Sequence, residues 1–133
     1  MGVDKNKLRT LALEAWRCRA RARVLTGVRV GAALVTHSGK LFSGCNIEHQ
    51  FRCHDLHAEV SAIAGMVCSG EQSIRGIVIA AKTERFTPCG GCMDWIMEFG
   101  GAECVVAFQP KEDGGLYTVT AGELMPHYPR LGT

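Results

Sequence analysis

Two short clusters carry most of the side chains able to do chemistry. His57-Ala58-Glu59 sets an imidazole two residues before a carboxylate, and Pro88-Cys89-Gly90-Gly91-Cys92 sets two thiols in glycine-rich surroundings. One imidazole and two thiolates, from His57, Cys89 and Cys92, supply three ligands of the kind a catalytic zinc keeps, with the fourth tetrahedral position left to water. A C-x-x-C at a helix start lets both sulfurs converge on one ion, and a helix N-terminus favours thiolate over thiol. Two thiolates offset the charge of Zn²⁺, which lowers the pKa of a bound water towards ~7. Glu59, two residues from His57, stands near the metal but points elsewhere, which suits a proton shuttle better than a ligand. The alternatives are a redox pair, or a structural zinc with four protein ligands, for which Cys53 and His54 are at hand. A structural site has no use for Glu59.

The elements that must position these groups follow from periodicity and turn signals. From Lys5 to Leu25 the apolar residues Leu11, Ala15, Cys18, Ala22 and Leu25 recur at steps of four and three, which predicts an amphipathic helix. Val28–Thr36 and Leu41–Cys45 read as two strands of a hairpin around the turn at His37-Ser38-Gly39-Lys40. His57–Val67 reads as a helix with Val60, Ile63, Ala64 and Val67 on its apolar side, stopped at Ser69-Gly70. Ile74–Ala81 is a strand, Cys89–Phe99 a helix, Cys104–Phe108 a strand, Leu116–Val119 a weak strand and Ala121–Met125 a short helix. Strands alternating with helices, plus an antiparallel hairpin, predict a layered α/β sheet. The two chemical clusters each open a helix.

A length of 133 residues is one domain's worth of chain, and residues 1–133 are expected to form a single domain. With 47% hydrophobic and 21% charged residues, a mainly disordered chain is excluded. A net charge of +2 is too weak a bias to name nucleic acid or a membrane as partner. No apolar run approaches the ~20 residues that span a bilayer. Met1–Lys7 leads into a helix rather than a signal peptide, so a cytoplasmic protein is expected. Seven cysteines cannot all pair within one chain. Cys18, Cys68 and Cys104 sit in apolar stretches and read as small buried hydrophobes.

The pattern H-x-E…P-C-x-x-C is a signature of zinc deaminases acting on cytosine or adenine. From about residue 5 to Pro126 the chain resembles the cytidine deaminase superfamily, and within it the small tetrameric nucleoside deaminases. The resemblance rests on Val30-Gly31-Ala32-Ala33, Gly44-Cys45-Asn46-Ile47-Glu48, Ala58-Glu59, Pro88-Cys89-Gly90-Gly91-Cys92 and Glu123-Leu124-Met125-Pro126. It implies a three-layer α/β/α sandwich around a five-stranded mixed sheet, a homotetramer, and a small-molecule substrate. It further implies zinc held by His57, Cys89 and Cys92, with Asn46 and Glu48 on the ribose hydroxyls and Ala58 beside the substrate. Glu59, thirteen residues beyond Asn46, would take a proton from the metal's water and deliver it to a ring nitrogen. Addition at the amino-bearing carbon would follow, and Glu59 would help the amino group leave as ammonia.

Departures from the family pattern bear on substrate more than on chemistry. Where the small enzymes carry Cys-Ala-Glu-Arg, this chain has His57-Ala58-Glu59-Val60. The family arginine offsets the surplus charge of three thiolates, so exchanging one thiolate for His57 leaves Val60 without that task. Val28-Arg29 stands where the family has an aromatic, His49–His54 replaces the usual polar loop, Met93-Asp94 follows Cys92, and Tyr128 lies one position early for the late aromatic. The loop residues Arg52 and His54 could meet a phosphate, an acidic substituent or solvent. Three alternatives stay open: the same chemistry on a nucleotide, free base or blasticidin S-type antibiotic; a nucleic-acid-editing deaminase; or a zinc-stabilised binding module. Arg17, Arg19, Arg21 and Arg23 resemble a nucleic-acid footprint, yet on a helix they form two separate i,i+4 pairs.

Overall fold

The computed structural model describes residues 2–84 and 87–129. Its elements run α1 (Lys5–Arg19), β1 (Gly31–Thr36), β2 (Leu41–Cys45), a 3-10 turn (Arg52–His54), α2 (Ala58–Cys68), β3 (Ile74–Ala80), α3 (Gly90–Gly100), β4 (Val105–Gln109), β5 (Tyr117–Thr120) and α4 (Ala121–Leu124). The five strands form one mixed sheet in the order β2-β1-β3-β4-β5. β3 and β4 are parallel, joined through α3, and the other neighbours are antiparallel. Among the described residues no helix is long and apolar enough to cross a membrane.

Strand alternation divides the core in two. Ala33, Val35, Val78, Ala80, Val105 and Ala107 face α1, where Leu11 and Ala15 are fully buried. Ala32, Leu34, Ile77, Ile79 and Val106 face α2 and α3, whose Ile63, Met66 and Ile96 fill the other side. The expected α/β/α sandwich is thus present, with the sheet covered on both faces. Two glycines let the helices lie directly on the sheet. A Cβ at Gly31 would collide with the Ala15 carbonyl oxygen of α1, and one at Gly44 with the Ala62 backbone nitrogen of α2.

Three elements differ from the sequence expectation. α1 ends at Arg19 rather than Leu25, with Ala20 as its C-cap. The apolar spacing continues, but Arg23 instead pairs with the Asn46–Glu48 segment, its N–H donating to the Asn46 carbonyl at 3.1 Å while its own carbonyl accepts from Glu48 N–H at 2.7 Å. β1 starts at Gly31 rather than Val28, because the Asn46 side chain holds residues 28 and 30 in place of a ladder. The buried face of α2 is Ala58, Glu59, Ala62, Ile63 and Met66, which leaves Val60 half-buried and Ala64 and Val67 exposed. Cys104 is buried, its thiol pushed up to about 12 by that burial. Cys18 is only half-buried, and Cys68, at the open end of α2, is exposed.

Gly31 gives a direct test of the close helix-on-sheet packing. Gly31→Ala stiffens the unfolded chain, a gain below about 1 kcal/mol, but drives a methyl into rigid backbone. We expect a net loss of about 3 kcal/mol in denaturant unfolding; an unchanged midpoint would contradict the close approach.

Candidate active site

α2 and α3 begin at one end of the sheet, and their first residues meet. His57 is the N-cap of α2, and Cys89 is the N-cap of α3, its Sγ accepting from the Cys92 N–H at 3.5 Å. His57 Nδ1 lies 3.3 Å from Cys92 Sγ and 3.4 Å from Cys89 Sγ. All three donor atoms fall within 4.8 Å of one another, a group that could hold a metal ion. Tetrahedral zinc with its usual bond lengths separates a nitrogen and a sulfur donor by about 3.6 Å, so the spacing fits. Cys53 and His54 lie exposed on the 3-10 turn, outside this group.

The surroundings of Cys92 suit a cation here. Burial, followed by the nearby Glu59 carboxylate, pushes the Cys92 thiol up. The helix N-terminus, expected from sequence to favour thiolate, does not overcome this. A bound metal deprotonates such a thiol outright. Glu59 is 2% exposed, and burial raises its own pKa, opposed in part by a hydrogen bond with Cys92. A buried carboxyl against a buried thiol is a costly pairing without positive charge between them.

In front of these groups opens a cleft of about 190 Å³, small against the ~300 Å³ lower end of drug-sized pockets. Its wall includes Asn46, Glu48, Ala58 and Glu59 together with His57 and Cys89, so the structure brings the sequence-identified residues to one place. Asn46 is occupied by the rim: Oδ1 accepts from Val30 N–H at 2.8 Å and Nδ2 donates to the Val28 carbonyl at 2.8 Å. Glu48 Oε1 accepts from the N–H groups of Leu25, Thr26 and Gly27 at 2.7, 2.9 and 3.3 Å. The Thr26 and Leu25 N–H groups, with a smaller contribution from Arg52, hold this carboxyl below the usual carboxylate range.

Arg52, Asp55, Leu56, Val30 and Thr87 complete the cleft. Arg52 binds three segments at once. Its Nε donates to Asp55 Oδ2 at 2.7 Å, Nη1 donates to Thr26 Oγ1 at 2.6 Å, and Nη2 stands 3.6 Å from Glu48 Oε1. Asp55 Oδ1 accepts the His49 N–H at 2.7 Å. The sequence marked Arg52 as undecided and passed over Asp55 and Thr87; no local pattern distinguishes them from other loop polars. Val28 is exposed and absent from the cleft wall, to which Val30, Leu56 and Ala58 contribute apolar surface. Asp94 is exposed and Met93 is core. Tyr128 packs on the core beside α4, while Trp95 is 42% exposed and stacks on Phe99. Arg17 and Arg19 of α1 and Arg23 beyond its end are dispersed: Arg17 pairs with Glu14, Arg19 lies over Trp16, and Arg23 Nη1 donates to the Glu48 carbonyl.

A family profile described as cytidine and deoxycytidylate deaminase zinc-binding region matches residues 4–108, which include all three donors. The chain belongs to this family. It is 37% identical over 100 residues to a probable cytidine deaminase of Dictyostelium discoideum, spanning 74% of this chain and 66% of that protein. To the cytidine deaminase of Sporosarcina psychrophila it is 31% identical over 128 residues, 95% of this chain and 90% of that one. The crystal structure of cytidine deaminase from Burkholderia pseudomallei aligns with a TM-score of 0.82 at 27% identity, over 94% of this chain and 98% of that chain. The family's zinc and the three-donor group agree.

The Glu48 nest generates a pH prediction. A carboxyl lowered on folding contributes stability that is fully present above its unfolded pKa and lost as pH falls through the folded value. Unfolding midpoints of the native chain should therefore drop more steeply on acidification below the ordinary glutamate range than those of Glu48→Gln. Parallel curves for the two proteins would contradict the assignment.

Proposed function

We propose that this chain is a zinc-dependent hydrolase that exchanges the ring amino group of a cytidine-like nucleoside for a keto oxygen, consuming water and releasing ammonia. The observation that carries the reading is the three-donor group of His57, Cys89 and Cys92 with the buried carboxyl of Glu59 alongside. When bound there, zinc supplies an activated water and an acid strong enough to ionise it near neutral pH.

The remaining chemistry falls to the chain's own side chains. Glu59, raised by burial, carries one proton of the attacking water to the ring nitrogen and then the second, from the hydroxyl so added, to the departing amine. Cys92 and its helix hold that carboxyl in one place. Asn46 and Glu48 fix the cleft rim, and with Ala58 they line the cleft, where in this proposal they would face the sugar and the ring. Arg52 argues against an anionic substrate. Asp55 and Glu48 already neutralise it, and a phosphate entering the cleft would meet Glu48, Asp55 and Glu59 as well. A neutral nucleoside fits this balance better than a nucleotide.

The departures at Val28 and in residues 49–54 favour one second reading, the same chemistry on another aminated heterocycle. Exposed Ile47, Phe51 and Leu56 near the rim, with the Ala64 and Val67 face of α2, support the homotetramer the resemblance implies. Exposed apolar patches of this kind mark contact surfaces.

Ammonia release should be seen with cytidine or deoxycytidine, and their 5′-monophosphates should react at least tenfold more slowly at equal concentration. Silence on every pyrimidine nucleoside with release from another amino heterocycle would select the second reading. Glu59→Gln should lose on the order of a thousandfold in turnover while zinc content stays that of the parent protein. Retained turnover in that variant would overturn the proposal.

A further inference from the structure

We propose that Cys18 and Cys45 are an oxidation site, two thiols placed to close a disulfide that ties the last turn of α1 to the strand entering the active-site rim. Neither takes part in the metal group, and the proposal stands independently of the deaminase reading.

The placement follows from register. Cys45 is the last residue of β2 and sits opposite Gly31 of β1. Directly opposed residues of an antiparallel pair share a face. Ala33 and Val35, two and four residues beyond Gly31, face α1, as does Leu41 of β2. Cys45 therefore points towards α1. On α1, Cys18 lies between the two residues that press on Gly31. A Cβ there would strike the Ala15 carbonyl oxygen and stand 2.8 Å from the Arg19 backbone nitrogen. This approach, open only to glycine, removes the layer of side chain that would otherwise hold the two sulfurs apart. The two thiols are close enough for Cys18 to influence the Cys45 thiol, and both are free. Each is half-buried, within reach of a small reagent.

The charged surroundings are mixed. Burial, and then Cys18 itself, raises the Cys45 thiol, while Arg21 and Arg29 act in the opposite direction. Those two guanidinium groups supply the positive charge that a transient thiolate needs. With a low-molecular-weight disulfide as oxidant, one thiolate attacks a reagent sulfur and expels one reagent thiol. The second cysteine then attacks the mixed disulfide and expels the other. Two protein thiols and one reagent disulfide become one protein disulfide and two reagent thiols, with both protons carried away on the products.

Beyond the bond lies Asn46, whose side chain fixes residues 28 and 30 of the cleft rim. The bond would staple α1 to the base of that rim.

The test uses the full chain loaded with zinc, exposed to oxidised glutathione, alkylated in acid and mapped as peptic peptides. The expected result is a peptide pair joined through Cys18 and Cys45, with the loss of two hydrogens. The unfolding midpoint should rise by roughly 5–10 °C over the reduced protein. Cys18→Ser should give neither the joined pair nor the rise. The proposal is overturned if Cys53 and Cys68 carry glutathione while Cys18 and Cys45 are recovered as separate alkylated thiols. A midpoint rise of equal size in Cys18→Ser would overturn it as well.

Discussion

A thiol buried against a carboxylate resists ionisation, and the site depends on a cation to reverse that. Cys92 and Glu59 lie side by side in a nearly dry pocket: burial raises both groups, and the Glu59 carboxylate adds to the cost of charging Cys92. Positive charge at the point where His57, Cys89 and Cys92 converge turns this cost into a use. In the proposed reaction the thiols would serve as ligands, and the carboxyl would be left as the group free to move protons. Replacing a third thiolate by His57 keeps the total charge of the ligand set at zero with zinc. With that balance, Val60 has no surplus charge to offset.

The sheet and its helices exist, functionally, to bring two helix starts together. α2 lies hard against β2 at Gly44, which fixes the height of His57 and Glu59 above the sheet. α3 crosses between the parallel strands β3 and β4, which delivers Cys89 and Cys92 to the same end. The cleft rim is assembled differently. It is irregular chain held by two side chains, Asn46 and Glu48, each satisfying backbone groups that no strand or helix satisfies. Such satisfaction is obligatory for buried backbone, so these residues have structural work before any ligand arrives.

Legibility from sequence follows the range of the interactions. The meeting of His57, Cys89 and Cys92 beside Glu59 is legible because each of the two clusters is a local pattern with few other reasons to coincide. β1, β3 and β4 are legible as strands from their short apolar runs, but runs buried on both faces do not show which side chains join which core. The overlong α1 and early β1 came from trusting periodicity through residues 20–30, where Arg23, Leu25, Thr26 and Gly27 give their hydrogen bonds to partners some twenty residues away. The apolar face of α2 was misread because Glu59 and Ala58 are buried for the site, which turns the helix away from Ala64 and Val67. Arg52 illustrates the limit. Its charge was visible, but its neutralisation by Asp55 and Glu48 depends on three segments meeting, which no window of sequence contains.

X-ray absorption at the zinc K-edge of the purified protein tests the central claim most directly. The account predicts one zinc per chain with two sulfurs at about 2.3 Å, and one imidazole nitrogen and one non-protein oxygen at about 2.0–2.1 Å. A protein purified without zinc, or a shell in which a fourth side chain closes the coordination, would contradict it.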